Sequence, residues 1–474
     1  MDNTPQKVTL PKADGIENFE RFKHYERMMY APCVIKADFE SNHKETDEKY
    51  GGSMRKIGEQ RANSFSYTIY WIDTGEIWGP YIYRGPNATE EFVKRMDKEI
   101  KRINKIFDNP IPANKSNKED LRKFNNAKEC HLCKKSLGHD KVWDHCHITG
   151  KYRGAAHKDC NLKLQIKPWR TPIPVVIHNF RGYDSHLICE SVSQSAFSHR
   201  ISVIAETFER YKTMRVGQIK YIDSYQFMKC GLDTLAENIG AYYTKEGVPM
   251  EKIGLLLRKG VYPYKYINSY ERFKETSLPP IEEFYSDLKG GITQKNYGHA
   301  QKVWKEFGCK NLGEYHDLYL KTDVLLLADV WTAFRETSMK YYELDPSHYV
   351  SAPSLTWDAM LKYTGVKIEL FTDMEMHDFA EKAKRGGITM ACKRYFKANN
   401  PKCKKFDMHR PKTWLSYVDA NDLYGWAMRQ YLPIGNYKWE YSDKFLKDPE
   451  NKQEDIKYYT KETEGCLPRI LCAN

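Results

Sequence analysis

The sequence predicts a mixed α/β fold with a small cysteine-rich unit set into it. Three observations carry this prediction. Short apolar runs lead to carboxylates: Val34-Ile35 before Asp38 and Glu40, Ile173–Ile177 before Asp184, and Leu415–Val418 before Asp419. Runs of that length, rich in β-branched residues, read as buried strands. Two long stretches, Asn87–Phe107 and Glu314–Tyr342, instead carry apolar residues at helical spacing. Finally, Cys130 with Cys133 and His157 with Cys160 form two pairs with two residues between partners, the spacing of a tetrahedral metal site.

The 474 residues suffice for two to four domains and a large core. The net charge of +12, from 75 basic and 63 acidic side chains, favours a polyanionic partner, nucleic acid first. Charge alone fits a plain soluble basic protein equally well. Met1–Pro5 does not look like a signal peptide, and no apolar run approaches the roughly 20 residues of a membrane span. The expectation is an intracellular protein that is not secreted and has no membrane contact. Its cysteines are then reduced thiols or metal ligands, not a disulfide framework.

Taken in order, residues 1–30 are a polar lead-in. Val34–Glu40 is the first core strand, and the alternating Phe65, Tyr67 and Ile69 mark another. Phe92, Met96, Ile100, Ile103 and Phe107 fall on one helical face, and Asn87 with Glu90 resembles an N-terminal cap. Residues 108–128 are polar, contain two prolines and read as a linker. Ile173–Ile177 and Lys220–Asp223 resume the strands, and residues 241–300 are rich in Tyr and Lys without clear pattern. The helix Glu314–Tyr342 buries Leu318, Leu326, Val330 and Phe334, and it places Tyr319 and Asp323 one turn apart on a shared face. Arg385-Gly386-Gly387 is a loop, Leu415–Asp419 a strand, and Lys447–Thr463 a charged tail. The domain expectation is 31–125 and 168–345 as one domain, interrupted by 126–167, with a further domain beginning at 346.

Asp38 and Glu40 point to one side of their strand because side chains alternate. With Asp184 and Asp323 they supply four carboxylates, enough to hold two hard cations roughly 4 Å apart for phosphodiester hydrolysis. Asp38-Phe39-Glu40, Asn179 with Tyr183-Asp184, and Tyr319 through Asp323 resemble, in order, the three exonuclease motifs of family B DNA polymerases. Asp419 through Gly425 resembles that family's first polymerase motif, and the protein-primed subgroup of viruses, linear plasmids and Maverick-type transposons is the most similar. The resemblance implies an RNase H-like 3′–5′ exonuclease domain followed by the start of a polymerase palm. It implies Mg²⁺ or Mn²⁺ on Asp38, Glu40, Asp184 and Asp323, with Tyr319 orienting water and Asn179 on a single-stranded 3′ end. The family's Ser-Leu motif for single-strand contact falls at Gly231-Leu232, without the hydroxyl.

Cys130, Cys133, His157 and Cys160 suit structural Zn²⁺, and a unit this small needs its metal to fold. Together with Asp144-His145-Cys146-His147 and Asn161 they resemble recombination endonuclease VII, a zinc-stapled ββα-metal nuclease. That likeness implies Asp144 and Asn161 as Mg²⁺ ligands, His145 as general base and His147 in support. His157 and Cys146 depart from the family pattern. A DNA-contacting or structural role is expected ahead of cleavage.

In the palm motif the resemblance implies Asp419 as a metal ligand, Leu423 and Tyr424 as nucleotide contacts, and Arg385, Gly386 and Gly387 near template. Asp422 and Gly425 stand where the family has Ser and Pro, and the later lysine and Asp-Thr-Asp motifs are absent from these 474 residues. The expected protein is therefore the N-terminal part of a DNA-directed DNA polymerase. Its partners would be template-primer DNA, dNTP and a terminal priming protein, in the nucleus or at the replication site of a virus or element. A free-standing DNA nuclease and a non-catalytic DNA-binding remnant are the competing readings.

Overall fold

The computed structural model describes residues 9–50, 52, 54–207, 210–236, 249–285, 290–384, 390, 393–439 and 466–467. They fall into two compact units, Lys23–Tyr363 and a second formed by Met1–Phe22 with Thr364–Asn474. The first strand among the described residues is the two-residue β1 (Phe19–Glu20). In the larger unit β2 (Cys33–Tyr50) and β3 (Met54–Trp71) form a long antiparallel hairpin, which β4 (Ile77–Arg84) extends. Period-two alternation sends Ile35, Ala37 and Phe39 to one face of β2 and Lys36, Asp38 and Glu40 to the other.

The first face packs on α1 (Ala88–Phe107), where the Phe39 ring lies 4.8 Å from Phe92. The predicted stripe of Phe92, Met96, Ile100, Ile103 and Phe107 is buried throughout. The cap differs from expectation. Asn87 adopts a left-handed backbone (φ 55°) and makes no side-chain cap bond, because that conformation turns its amide away from the first turn. The expected linker also contains a helix, α2 (Lys118–Asn126), whose N-terminal amides at Glu119 and Asp120 donate to the Asn117 side chain. Phe124 of α2 packs 5.2 Å from Trp143, so this helix belongs with the cysteine-rich unit.

That unit is a ββα arrangement of β5 (Lys141–His145), β6 (Tyr152–His157) and α3 (Lys158–Lys163). The main sheet resumes at β7 (Ile173–Ile177), followed by α4 (Asp184–Cys189). A hairpin, β8 (Ile201–Thr207) and β9 (Arg210–Val216), leads into β10 (Ile219–Asp223). The sheet order is β4-β3-β2-β7-β10-β9-β8. β7 runs parallel to both β2 and β10, so the ends of all three that carry carboxylates lie together.

α5 (Leu232–Ala236), α6 (Met250–Leu256) and α7 (Gln294–Glu306) lead to the 31-residue α8 (Leu312–Tyr342). The patternless region contributes a second core, in which Val261, Tyr262, Ile267 and Phe273 pack on Tyr315 and Tyr319 of α8. α8 covers the carboxylate face of β2. From Tyr319 to Thr332 every residue except Lys321 is buried, while Leu318 and Phe334 are only half-buried. The one-sided pattern expected from sequence fails here because other elements pack around the helix. Its register is pinned by the buried Arg335, which donates to both carboxylate oxygens of Asp345 at 2.9 and 2.7 Å and to the Ala31 carbonyl at 3.0 Å. Ala31 lies two residues before the first residue of β2, so this clamp ties the root of β2 to α8.

α9 (Ala352–Thr364) follows. In the smaller unit β11 (Ile368–Glu369) pairs antiparallel with β1, and α10 (Met374–Ala383) and α11 (Leu423–Met428) follow. β12 (Lys438–Trp439) pairs with β13 (Cys466–Leu467). The strand expected at Leu415–Asp419 is not formed. Among the described residues no strand pairs with it, and Tyr417 and Val418 are 98 % and 84 % exposed. An apolar run becomes a strand only when partner strands satisfy its backbone. Arg385, Gly386, Gly387 and the tail Lys447–Thr463 lie outside the described residues. Among the described residues no helix is long and apolar enough to cross a membrane.

Candidate metal sites

Asp38 and Glu40 from β2 meet Asp323 from α8, with one oxygen of each lying within 4.8 Å of the others. Asp184, at the start of α4, is buried outside this tight group. At that spacing each pair of charges repels by about 3.5 kcal/mol at an effective dielectric of about 20. The titration of the group reflects this. Burial first, then the Asp323 charge, pushes Asp38 up to about 7. Burial, then Asp38, raises Glu40 and Asp184 well above the carboxylate range.

Among the described residues one cation, Lys259, is paired with the group. Lys259 Nζ is 3.4 Å from Asp323 Oδ2, an ion pair without the alignment of a hydrogen bond. Among the described residues no well-aligned hydrogen bond is made to either oxygen of Asp323 or to Oδ1 of Asp184, although Lys259 and Tyr319 lie close enough to Asp323 to favour its charged form. Buried carboxylate oxygens without donors are costly unless something positive meets them. One ammonium cannot neutralise this many carboxylates, so the donor set fits hard divalent cations.

Tyr319 lies one turn before Asp323 as expected, but its hydroxyl is paired with that of Tyr264 at 2.8 Å and its ring stacks on Tyr262 at 4.6 Å. Tyr262 in turn contacts His316 Nδ1 at 2.6 Å, and His316 Nε2 contacts Ser64 Oγ at 2.7 Å. Gly260 leaves room for this stack, since a Cβ there would sit 2.5 Å from Tyr319 Cδ2. Asn179 is exposed, in a left-handed conformation (φ 65°) at the end of β7. Tyr183 bonds Ser41 through its hydroxyl. His178 is held neutral, down to about 4, by burial and then by Lys259. Sequence reasoning missed Lys259, Tyr262, Tyr264 and His178. The alternation of Tyr262, Tyr264 and Tyr266 after Lys259-Gly260 was the only available signal.

In the ββα unit, Cys130, Cys133, His157 and Cys160 bring one ligand atom each within 4.8 Å of the others. His157 Nδ1 faces Cys133 Sγ at 3.4 Å, while its Nε2 lies 3.0 Å from the Ser136 carbonyl. That outer bond fixes the ring so that Nδ1 presents its lone pair to the thiols. Burial pushes the Cys130 thiol up, but the backbone amides of Cys133, His157 and Leu132 outweigh it and bring the thiol down to about 6. Thiolate character of this kind suits zinc. Cys146 is not in the set and donates to Asp73 Oδ2 at 3.1 Å.

Asp144 is fully buried, with both oxygens engaged. His131 Nε2 meets Oδ2 at 2.9 Å, and Arg153 Nη2 donates to Oδ1 at 2.7 Å. Burial works against ionisation, but these partners hold Asp144 below its ordinary value. His145 and His147 face each other with ring centroids 5.0 Å apart. Asn161 lies in α3, half-buried. Asp419, Leu423 and Tyr424 belong to the smaller unit, where all three are exposed.

Residues 171–470 match the sequence family described as DNA polymerase type B, organellar and viral. Residues 102–167 match recombination endonuclease VII. A probable DNA polymerase of Ascobolus immersus is 24 % identical over 288 residues, which cover 58 % of this chain and 21 % of that protein. A probable DNA polymerase of Podospora anserina is 22 % identical over 233 residues, 49 % of this chain and 16 % of that protein. The chain thus spans at most about a fifth of the length of these curated relatives.

Proposed function

This chain belongs to the organellar and viral type B DNA polymerases, and on that premise we propose that its larger unit is a metal-dependent 3′–5′ exonuclease acting on single-stranded DNA. The observation that carries this reading is the meeting of Asp38, Glu40 and Asp323, where the buried oxygens of Asp323 make no well-aligned hydrogen bond among the described residues. These three residues and Asp184 would hold Mg²⁺ or Mn²⁺, which when bound supplies an activated water and neutralises charge on the phosphate. Tyr319, braced by Tyr262 and Tyr264, sets the wall beside Asp323. Asn179, exposed on its left-handed turn, would contact the 3′ end. Lys259 balances part of the charge of the metal-free group and would give way to a stronger cation. The exonuclease is read as residues 31–125 and 168–345 around an insert at 126–167.

The insert is read as a zinc-held DNA contact and not as a second nuclease. The observation favouring this is Asp144, whose oxygens are already taken by His131 and Arg153. A ligand role for Asp144 with Asn161, and a base role for His145, would need that pairing to be broken first. The family supports a reading of DNA-directed synthesis, with proofreading, for a protein that carries the complete set of polymerase motifs. Asp419 would be a metal ligand, Leu423 and Tyr424 nucleotide contacts, Arg385 to Gly387 a template contact, and a terminal protein the primer. Such a protein would work in the nucleus or at the replication site of a virus or element.

The test is digestion of a 5′-labelled single-stranded oligonucleotide with Mg²⁺ or Mn²⁺. A descending ladder that disappears in the Asp38→Ala variant is expected. Intact substrate, or equal cutting by the variant, overturns the reading and leaves a DNA-binding remnant, which salt-sensitive binding without cutting would identify.

A further inference from the structure

Away from the carboxylates, a cavity of about 380 Å³ opens beside the hairpin β8–β9, lined by Trp169, Arg170, Arg200, Ser202 and Arg215. Among the described residues no carboxylate pairs with any of the three arginines; Arg215 Nε donates instead to the Gly217 carbonyl at 3.0 Å. Guanidinium groups lining one cavity repel each other and form forks that match phosphate oxygens.

Trp169 supplies an independent observation. It is 44 % exposed and has a left-handed backbone (φ 60°), a conformation that bulky residues rarely adopt. It is held there by the fully buried Asn104 of α1, whose Oδ1 accepts the Trp169 amide at 2.7 Å. Asn104 is itself fixed by Nδ2 bonds to the Ile100 carbonyl at 2.7 Å and to Gln218 Oε1 at 2.6 Å. A core network thus keeps an indole at the surface in a costly conformation, which points to use of the ring. Exposed aromatic faces beside basic groups are how proteins hold bases and phosphates of an unpaired strand.

We propose that this cavity is a second nucleic-acid site, in which Arg170, Arg200 and Arg215 take backbone phosphates of a DNA strand and Trp169 stacks on a base. Trp169 and Arg170 precede β7 and Gly217 precedes β10, whereas Asp184 follows β7. The cavity and the carboxylates therefore lie at opposite ends of the parallel strands, separated by roughly the length of β7, about 13 Å from first to last residue. The same nucleotide cannot occupy both. The choice of DNA as ligand rests on the proposed function; catalysis by the carboxylates is not required.

The test uses the full zinc-loaded chain without Mg²⁺ or Mn²⁺ and a fluorescent single-stranded oligonucleotide, titrated between about 50 and 200 mM salt. Changing Arg170, Arg200 and Arg215 together to Gln should lower the slope of log affinity against log salt by about 2, three contacts at about 0.7 each. Trp169→Ala should weaken binding about tenfold and leave the slope unchanged. Unchanged affinity and slope in the triple variant overturns the site. So does a result in which inorganic phosphate or a free nucleotide loses binding to that variant while the oligonucleotide does not, since the ligand is then a small anion. Cutting by the unchanged chain with no effect of the triple variant sinks this site alone. A reduced slope in a chain that never cuts sinks the exonuclease alone.

Discussion

Asp323 and Asp144 are both buried aspartates beside candidate metal sites, yet their surroundings are opposite. Asp323 meets other carboxylates and, among the described residues, has one loosely aligned ion pair to Lys259 and no well-aligned hydrogen bond, whereas Asp144 is held by His131 and Arg153. The fold leaves the first group electrostatically unbalanced and fully satisfies the second. Unbalanced buried charge suits a ligand that comes and goes; satisfied charge suits permanent structure. On the proposed reading the ββα unit would draw its stability from a metal held by four thiol and imidazole ligands, and the carboxylate group draws none from its own members.

The largest expected effect breaks the structural side. Chelating zinc, or changing Cys133 to Ser, should unfold the ββα unit, because structural zinc contributes on the order of 10 kcal/mol to units this small. Hydrogen exchange should rise sharply in β5, β6 and α3 while β2 and β7 stay protected. Metal analysis should give one zinc per chain.

The pH dependence of stability separates the two groups by sign. Asp38 is raised from 3.8 to about 7 in the fold. Its contribution is therefore full below the unfolded value and is lost as pH rises through about 7. Metal-free protein should be less stable at pH 8 than at pH 5 by on the order of a few kcal/mol. Asp38→Asn should flatten that slope in thermal melts. Asp144, lowered in the fold, behaves oppositely: its contribution is full above the unfolded value and is lost as pH falls through its lower folded value.

Two smaller effects sharpen the contrast. Arg153→Ala should destabilise the ββα unit by about 2–3 kcal/mol, below the full value for a buried pair because Arg153 is partly exposed. Exonuclease rates should be unchanged. Gly260→Ala should push Tyr319 from its place against Tyr262, costing about 1–2 kcal/mol. Denaturant melts would read the loss, and cleavage should slow with metal affinity retained.

Much of this was legible in the sequence. Period-two alternation put Asp38 and Glu40 on one face, helical spacing put Tyr319 with Asp323, and the two cysteine-containing pairs converge as their spacing predicts. Lys259, Tyr262 and Tyr264 were barely legible, because packing against α8 positions them and only the short alternation of Tyr262, Tyr264 and Tyr266 hints at it. The arginines of the second cavity are scattered over 46 residues, from 170 to 215, and only the sheet order β7-β10-β9-β8 gathers them. Leu415–Val418 shows the opposite failure: a strand-like run in which no pairing forms among the described residues. Local pattern reports which face a residue takes, but it cannot report which distant element meets that face.

The most direct test of the contrast is to count bound Mn²⁺ by electron paramagnetic resonance in zinc-loaded protein, comparing Asp38→Asn and Asp323→Asn with Asp144→Asn. Loss of Mn²⁺ in the first two, with retention in Asp144→Asn, is the predicted result. Retention in the first two with loss in Asp144→Asn would contradict the account and move the working metal to the ββα unit.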